Sequence, residues 1–356
     1  MLFISFVIGL IILLNTTYST GLKSYWEFKV EDSFNYNPAF DLDKMYLVDN
    51  SLLKEYNINT KKTRTLKKIN YINTHKGYNP YIITIQDKVY LFLLEEVICI
   101  NKDTKKIIWK TPFSINFLIK PQNRGNILIA SQLGNPYEIV AMNANNGNII
   151  WRFKLDKDDY DTVVTSFYIK SDNCYIFTAL KKLFILDIKN GEIRKKISFP
   201  LVIDAVIPHN ENILTYSSKM GIGTILVLDI YANVKLQQKI EGNIVTVANN
   251  GNKLFIITSE GKIYCLNEKL EVIWNTKINK ELINYCFIYK NLLIVFGSKS
   301  EIFLLDTIQG AIQQEIILKL KPEHVELLKN LDKLLIFSEG YLKIYNLNDI
   351  LNFNKV

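Results

Sequence analysis

Hydrophobic residues along the chain fall in short runs that alternate with polar positions and are separated by polar turns. Alternation of this kind predicts β-strands, because successive side chains of a strand point to opposite faces. The runs come in pairs that end in Asn or Asp, as in CYIFTALKKLFILD and KLFIITSEGKIYCLN. No stretch has sustained helical periodicity, and Pro322–Leu331 is only a short helical candidate. The pattern therefore indicates an all-β protein.

The Asn or Asp that ends each pair of runs marks an internal repeat. These Asx residues are Asn57, Asn101, Asn143, Asp187, Asp229, Asn267, Asp306 and Asn346. The position seven or eight residues later, which we call the tryptophan position, holds Thr65, Trp109, Trp151, Lys195, Gln237, Trp274, Gln314 and Asn354. The remaining tryptophan, Trp26, lies one period before Thr65. From Trp26 to Asn354 is 328 residues over eight periods, or 41 residues each.

Four short strands in a repeat of this length are typical of a β-propeller blade. The predicted fold is an eight-bladed β-propeller of four-stranded antiparallel blades, formed as a single domain by residues 20–356. The segment SYWEFKV around Trp26 has no strand pair before it. We expect it to complete the last blade and close the ring, although the C-terminal LNFNKV competes for that place.

The turn after each Asx also follows from residue chemistry. An Asx side chain can accept a backbone N–H two residues on and so start a turn. Gly147, Gly191 and Gly310 lie four residues after their Asx, where a positive φ is expected. Elsewhere Lys or Asn is expected to take this place at some strain. Trp26, Trp109, Trp151 and Trp274 share one position of the repeat and are predicted to dock neighbouring blades.

The N-terminus differs from the rest of the chain. Leu2–Leu14 is an uncharged apolar run of 13 residues, which is short for a spanning helix of about 20 residues. Small residues at Thr17 and Ser19 fit a cleavage site after Ser19. Residues 1–19 are therefore predicted to be a secretory signal peptide. An uncleaved N-terminal anchor is the alternative, because no Lys or Arg precedes Lys23.

Composition and charge narrow the functional classes. The formal charge is +8, but the lysines are scattered. This is expected for a solvated surface on which lysines protect strand edges against pairing with other chains. No nucleic-acid footprint is indicated, while weak attraction to anionic lipid or an acidic partner stays open. Among the four cysteines, Cys99 and Cys265 lie two residues before an Asx. They are expected to pack in the core as small apolar residues.

The turns resemble a known repeat. Their best copies, AMNANNGNIIW, CINKDTKKIIW and LDIKNGEIRK, resemble the quinoprotein-type (PQQ-like) repeat, in which the tryptophan wedges between blades. The resemblance covers residues 25–356 and implies either a quinoprotein dehydrogenase or a non-enzymatic envelope propeller. Length and export are similar to the BamB-like subunits of the outer-membrane β-barrel assembly machinery. BamB-like subunits are usually lipoproteins, and no cysteine precedes Cys99 here, so the mode of membrane association stays open.

The residues do not indicate an enzyme. A quinoprotein dehydrogenase needs a bound quinone, a Ca²⁺ with oxygen ligands and an Asp base. The sequence has no adjacent cysteine pair and no acidic cluster on the inner strands, although Asp161 precedes one such strand. The three histidines lie in different repeats without metal-ligand spacing. We therefore expect no catalytic residue, no cofactor and no metal site.

Two strand pairs are longer than the others. Ile127–Asn143 and Ile213–Asp229 exceed the usual length, and we place their extra residues in the turns SQLGNPY and SSKMGIG. These turns carry Leu133 with Tyr137, and Met220 with Ile222, as candidate partner-binding residues, because exposed apolar tips can anchor a protein. Simple variation in loop length explains the extra residues equally well.

The sequence is best interpreted as an exported, non-enzymatic β-propeller scaffold for protein–protein interaction. The resemblance implies a role in outer-membrane β-barrel assembly, with a barrel-insertase subunit as partner and a place in the periplasm or at the periphery of the outer membrane. An exported ligand-binding or sensor propeller and a PQQ-dependent dehydrogenase stay open as alternatives.

Overall fold

The structure is a computed structural model. It describes residues 16–18, 22–30, 37–69, 80–116, 119–132, 138–155, 163–318 and 320–352. The chain divides into two compact units, which we call the middle unit (Val30–Val206) and the terminal unit (Ile207–Val356 with Met1–Lys29). Two strands precede the blades in sequence, β1 (Thr16–Tyr18) and β2 (Trp26–Lys29).

The middle unit contains four sheets of four strands. Blade 1 consists of β3 (Ala39–Asp41), β4 (Lys44–Asp49), β5 (Leu52–Asn57) and β6 (Lys62–Lys68). Blade 2 consists of β7 (Tyr81–Ile85), β8 (Lys88–Phe92), β9 (Glu96–Asn101) and β10 (Ile107–Pro112). Blade 3 consists of β11 (Gln122–Arg124), β12 (Ile127–Gln132), β13 (Glu138–Asn143) and β14 (Ile149–Lys154). Blade 4 consists of β15 (Val164–Lys170), β16 (Asn173–Thr178), β17 (Lys182–Asp187) and β18 (Ile193–Ser198).

The other four sheets belong to the terminal unit, apart from Ala205 and Val206 at the start of β19, which the division assigns to the middle unit. Blade 5 consists of β19 (Ala205–His209), β20 (Asn212–Lys219), β21 (Ile222–Leu228) and β22 (Val234–Glu241). Blade 6 consists of β23 (Ile244–Asn249), β24 (Leu254–Thr258), β25 (Lys262–Leu266) and β26 (Val272–Lys277). Blade 7 consists of β27 (Leu282–Tyr289), β28 (Leu292–Gly297), β29 (Glu301–Asp306) and β30 (Ile312–Ile317). Blade 8 contains β31 (His324–Leu328), β32 (Lys333–Ser338) and β33 (Tyr341–Asn346).

The N-terminal β2 supplies the outer strand of blade 8. It pairs antiparallel with β33, Trp26 opposite Ile344, in a sheet of order β2-β33-β32-β31. The predicted all-β, eight-bladed propeller closed by its N-terminal strand is thus confirmed. The chain leading into the competing C-terminal segment forms a short helix, α1 (Leu347–Leu351), with two buried side chains, and LNFNKV itself lies outside the described residues from Phe353 on.

One helical candidate from the sequence was wrong. Of Pro322–Leu331, residues His324–Leu328 form β31 and only Lys329–Leu331 form a 3-10 turn. Strand pairing with β32 buries Val325 in the core of blades 7 and 8, and this outweighs the weak local helical tendency. No helix in the described part of the chain has the length and hydrophobicity to cross a bilayer.

Within each unit the core lies between consecutive sheets. The middle strands of each blade are almost continuously buried, for example β16 and β17, because both faces of a blade are covered. Between blades 3 and 4, Phe153 packs on Phe184 with ring centroids 5.2 Å apart, within a cluster that also contains Cys174.

The turn after β13, β17 and β29 forms as its sequence predicts. The side chains of Asn143, Asp187 and Asp306 accept the backbone N–H two residues on at 2.7–2.8 Å. The glycines four residues after these Asx residues have φ of +73° to +74°. The expectation of Lys or Asn where glycine is missing is confirmed in blades 1 and 2, where Lys61 and Lys105 have a φ of +57°. It was wrong in blades 5 and 6, where the positive-φ residues are Ala232 and Leu270, each one residue nearer to its Asx.

Candidate partner-binding site

Among the candidate residues that the structure describes, the most exposed apolar residue lies at the tip of blade 5. Strands β20 and β21 remain paired as far as Lys219 opposite Ile222, which leaves a turn of only Met220 and Gly221. Both turn residues have positive φ, +52° and +74°, as in the tight hairpin turns that match strand twist. Met220 is 91% exposed and Ile222 is 50% exposed.

The assignment of the extra residues of blade 5 to a longer loop was therefore wrong. Ser217, Ser218 and Lys219 pair in register with Thr224, Gly223 and Ile222, so the added length extends the strands. Continued strand pairing satisfies the backbone hydrogen-bonding groups that a loop would leave to solvent. The apolar tip is consequently presented on a paired β-ribbon.

A hydrogen-bond network from blade 6 holds this turn. The N–H of Gly242 donates to the carbonyl of Gly221 at 2.7 Å, and the N–H of Gly221 donates to Asn243 Oδ1 at 3.2 Å. Asn243 in turn donates its backbone N–H and its side-chain amide to the Glu260 carboxylate at 2.9 and 2.7 Å. Burial opposes ionisation of Glu260, but hydrogen bonds from its own backbone and that of Asn243 hold its pKa below the usual value. The turn is thus fixed before any partner binds.

Charged residues lie beside the apolar tip. Ile222 lies opposite Glu241 on β22, and the carboxylate of Glu241 pairs with Lys262 of blade 6. Tyr264 donates its hydroxyl to the Glu241 carbonyl at 3.1 Å. An apolar centre with a polar rim is typical of protein–protein contacts.

The candidate residues Leu133 and Tyr137 lie outside the described residues. The strands that flank them, β12 and β13, end in the pair Gln132 and Glu138. Arg152 donates to both side chains, at 2.6 and 3.1 Å. This hairpin lies in the middle unit and that of blade 5 in the terminal unit.

Three tryptophans make the same contact with the blade that follows them. Each indole N–H donates to the carbonyl of the residue after the next Asx: Trp109 to Ala144 at 3.0 Å, Trp151 to Ile188 at 2.8 Å and Trp274 to Thr307 at 3.4 Å. Trp26 is half-buried on β2, and its ring centroid lies 4.7 Å from that of Phe28.

The same tryptophans lie against the glycine of the next turn. A Cβ built on Gly191 would lie 2.7 Å from the Trp151 ring, and one on Gly147 would lie 2.5 Å from the Trp109 ring. Gly310 is approached by Trp274 in the same way. We call this arrangement the Trp–turn contact. The sequence predicted these glycines from positive φ alone and missed the steric reason, because the contacting ring belongs to the preceding repeat.

Gln314 occupies the tryptophan position of blade 7. It is 8% exposed, and among the described residues no partner accepts a hydrogen bond from its Nε2. Its blade therefore has a buried amide where blades 2, 3 and 6 have an indole bonded to the next blade.

The described residues contain no obvious reactive cluster. No three His, Cys, Asp or Glu side chains among them are placed to hold a metal ion. All four cysteines are free thiols. Burial raises the pKa of Cys99 and Cys265 to about 11, so both thiols are protonated at neutral pH.

Comparison with known proteins agrees with this architecture. The family model described as outer membrane protein assembly factor BamB matches residues 84–201, which span most of blades 2 to 4. BamB from Moraxella catarrhalis has 12% identity and a TM-score of 0.64, covering 91% of this chain and 99% of its own. The predicted resemblance to PQQ-like, BamB-like propellers is confirmed. A comparison with curated protein sequences gives no significant match.

Other solved propellers are similar to the same degree. The Dos1 propeller has a TM-score of 0.72 at 12% identity, covering 92% of this chain and 95% of its own. Quinohemoprotein alcohol dehydrogenase from Comamonas testosteroni has a TM-score of 0.66 at 10% identity, and the match covers 91% of this chain and 76% of that protein. At these identities the likeness establishes the fold alone.

Proposed function

We propose that this chain is an exported, non-catalytic scaffold that binds a protein partner during outer-membrane β-barrel assembly. The observation that carries the proposal is the hairpin tip of blade 5, where Met220 and Ile222 are exposed on a turn fixed by Asn243 and Glu260. A preformed apolar tip loses little conformational entropy on binding. The BamB-like family match supports the assembly role, and a barrel-insertase subunit is the partner we propose.

The expected place of action is the periplasm or the periphery of the outer membrane. This rests on the signal peptide predicted for residues 1–19 and on the BamB-like match. Leu133 and Tyr137 of the blade 3 hairpin are proposed as further partner contacts, because their hairpin is the other long one in the sequence.

The proposal is tested by affinity purification from cross-linked envelopes. The wild-type chain should co-purify with barrel-insertase components, and M220D should reduce their recovery about tenfold or more, as loss of a central apolar anchor does. A combined L133D/M220D variant tests both hairpins. I308D is the matched control, because Ile308 is also apolar and 61% exposed in the terminal unit but lies in the Asx turn of blade 7.

Two results would contradict the scaffold. Equal recovery with M220D, L133D/M220D and I308D would remove these tips from the partner surface. Dye reduction that requires both Ca²⁺ and added quinone would instead support a dehydrogenase.

A further inference from the structure

The outer edge of blade 7 differs from the other outer edges because an additional strand is paired with it. Strand β1 pairs in parallel with β30, with Thr16 opposite Glu315, Thr17 opposite Ile316 and Tyr18 opposite Ile317. Blade 7 is thereby a sheet of five strands, whereas each of the other seven sheets has four in the described part of the chain. A strand from outside the repeat has been added to this edge.

The sequence of β30 explains why this edge accepts a strand. Exposed edges of native sheets are commonly protected by Lys and other charges, which disfavour pairing with a further strand. Every other outer strand contains at least one Lys or Arg: β2, β6, β10, β14, β18, β22 and β26. Strand β30 reads IQQEII and contains none.

The contrast with four of the other blades is visible at a single repeat position. Three residues after the tryptophan position, four outer strands carry a lysine: Lys29, Lys68, Lys154 and Lys277. Strand β30 carries Ile317 there, opposite Tyr18 of β1. The one charged side chain of β30, Glu315, is paired with Lys280 at 2.9 Å, so the edge offers no uncompensated charge to an incoming strand.

We propose that the outer edge of blade 7 is a strand-addition site for a partner protein. In the uncut chain Thr16–Tyr18 fills it; once the predicted signal peptide is removed after Ser19, an extended segment of the partner takes its place parallel to β30. Main-chain hydrogen bonds provide affinity in this mode of recognition, and alternate side chains provide selectivity.

The chain's own segment indicates the chemistry of the partner segment. Asn15–Ser19 reads NTTYS, which is uncharged and rich in residues that favour strands. The partner segment is accordingly an uncharged, extended stretch of Thr-, Tyr- or Val-like residues. This inference deepens the proposed scaffold and depends on the proposed export, but it concerns a surface separate from the hairpin of blade 5.

The test uses the full chain with a specific protease site inserted after Ser19. Amide hydrogen exchange is followed in β30 before cleavage, after removal of the N-terminal piece, and after addition of a synthetic peptide with the sequence of Leu14–Thr20. Removal should speed exchange within Glu315–Ile317 about tenfold or more, and the peptide should restore protection. The amides of β26 provide the internal control.

Two substitutions make the test specific. I317K introduces the lysine that blades 1, 3, 6 and 8 carry at this position and should abolish protection by the peptide, whereas I317V should retain it. If I317K lowers the melting temperature of the cut protein, Q313K, at an exposed position of the same strand, serves instead.

Two results would overturn the inference. Exchange in β30 that is unchanged by removal of the segment would show that the edge is not a strand site. A cut protein that elutes as a dimer, and returns to monomer with I317K, would assign the edge to a second copy of the chain. Neither result affects how much partner co-purifies with the wild-type chain or with M220D. Failure of this inference is therefore distinguishable from failure of the scaffold proposal.

Discussion

Replacement of Gly191 by alanine tests the Trp–turn contact directly. The substitution adds one methyl group in the turn after β17, where φ is +74° and the Trp151 ring would lie 2.7 Å from the new carbon. The ring has little room to move, because Trp151 is buried and its N–H is bonded to Ile188 at 2.8 Å. We therefore expect both a backbone cost and a packing cost.

The two costs can be separated within this chain. A left-handed conformation costs a non-glycine residue about 1–2 kcal/mol. Gly221 has the same φ of +74°, and among the described residues nothing lies within 4 Å of its would-be Cβ, so G221A should show only this cost. Overpacking adds about 1–3 kcal/mol. G191A should therefore destabilise the protein by about 2–5 kcal/mol.

Urea unfolding of both variants, followed by circular dichroism, measures the difference. G125A is a second control, since Gly125 lies in the same unit as Gly191, also has a positive φ and has an open surrounding. In a W151A background the extra cost of G191A should disappear, because the ring is gone. A G191A variant no less stable than G221A would refute the steric explanation for this glycine.

Three further predictions concern stability. W151A should cost about 3–5 kcal/mol and lower the melting temperature; unchanged stability with lost partner binding would instead make Trp151 a binding residue. Q314L should stabilise the protein by about 1 kcal/mol in urea unfolding, because it removes a buried amide nitrogen without a partner. Burial opposes ionisation of Glu55, but hydrogen bonds from Arg64 at 2.7 and 2.8 Å lower its pKa. E55Q should cost about 1–3 kcal/mol at neutral pH. Since the folded-state pKa is lowered, unfolding curves of wild type and E55Q should converge as pH falls below 4.5, and an equal difference at all pH values would exclude this linkage.

Most of the fold follows from the sequence because the repeat signals are local. Strand alternation, the Asx that starts a turn and the glycine with positive φ all lie within one period. Closure by the strand of Trp26 was predictable from the shared period, although it joins the two ends of the chain. The strand β31 was not predictable from the sequence, because its burial depends on β32 and on the neighbouring blade.

The candidate site was less predictable for a physical reason. Exposure of Met220 follows from its place in a turn. The hydrogen bond from Asn243 to Glu260 that helps to hold this turn involves the next repeat and has no sequence signal. The strand β1 lies in a segment that reads as a signal peptide, so its pairing with β30 was not expected. Contacts between repeats depend on which side chains meet across a boundary, and a single repeat does not specify them.

The Trp–turn contact also defines where this chain could be divided into exchangeable parts. A conventional blade boundary would separate Trp151 from Gly191, and a transplanted blade would then place an indole against whatever residue its new neighbour has in that turn. A module that begins at an outer strand and ends after the following Asx turn keeps ring and glycine together. The natural unit for grafting or shuffling parts of this propeller is therefore this module, which spans the contact between two blades. The number of blades would be changed by inserting whole modules of this kind.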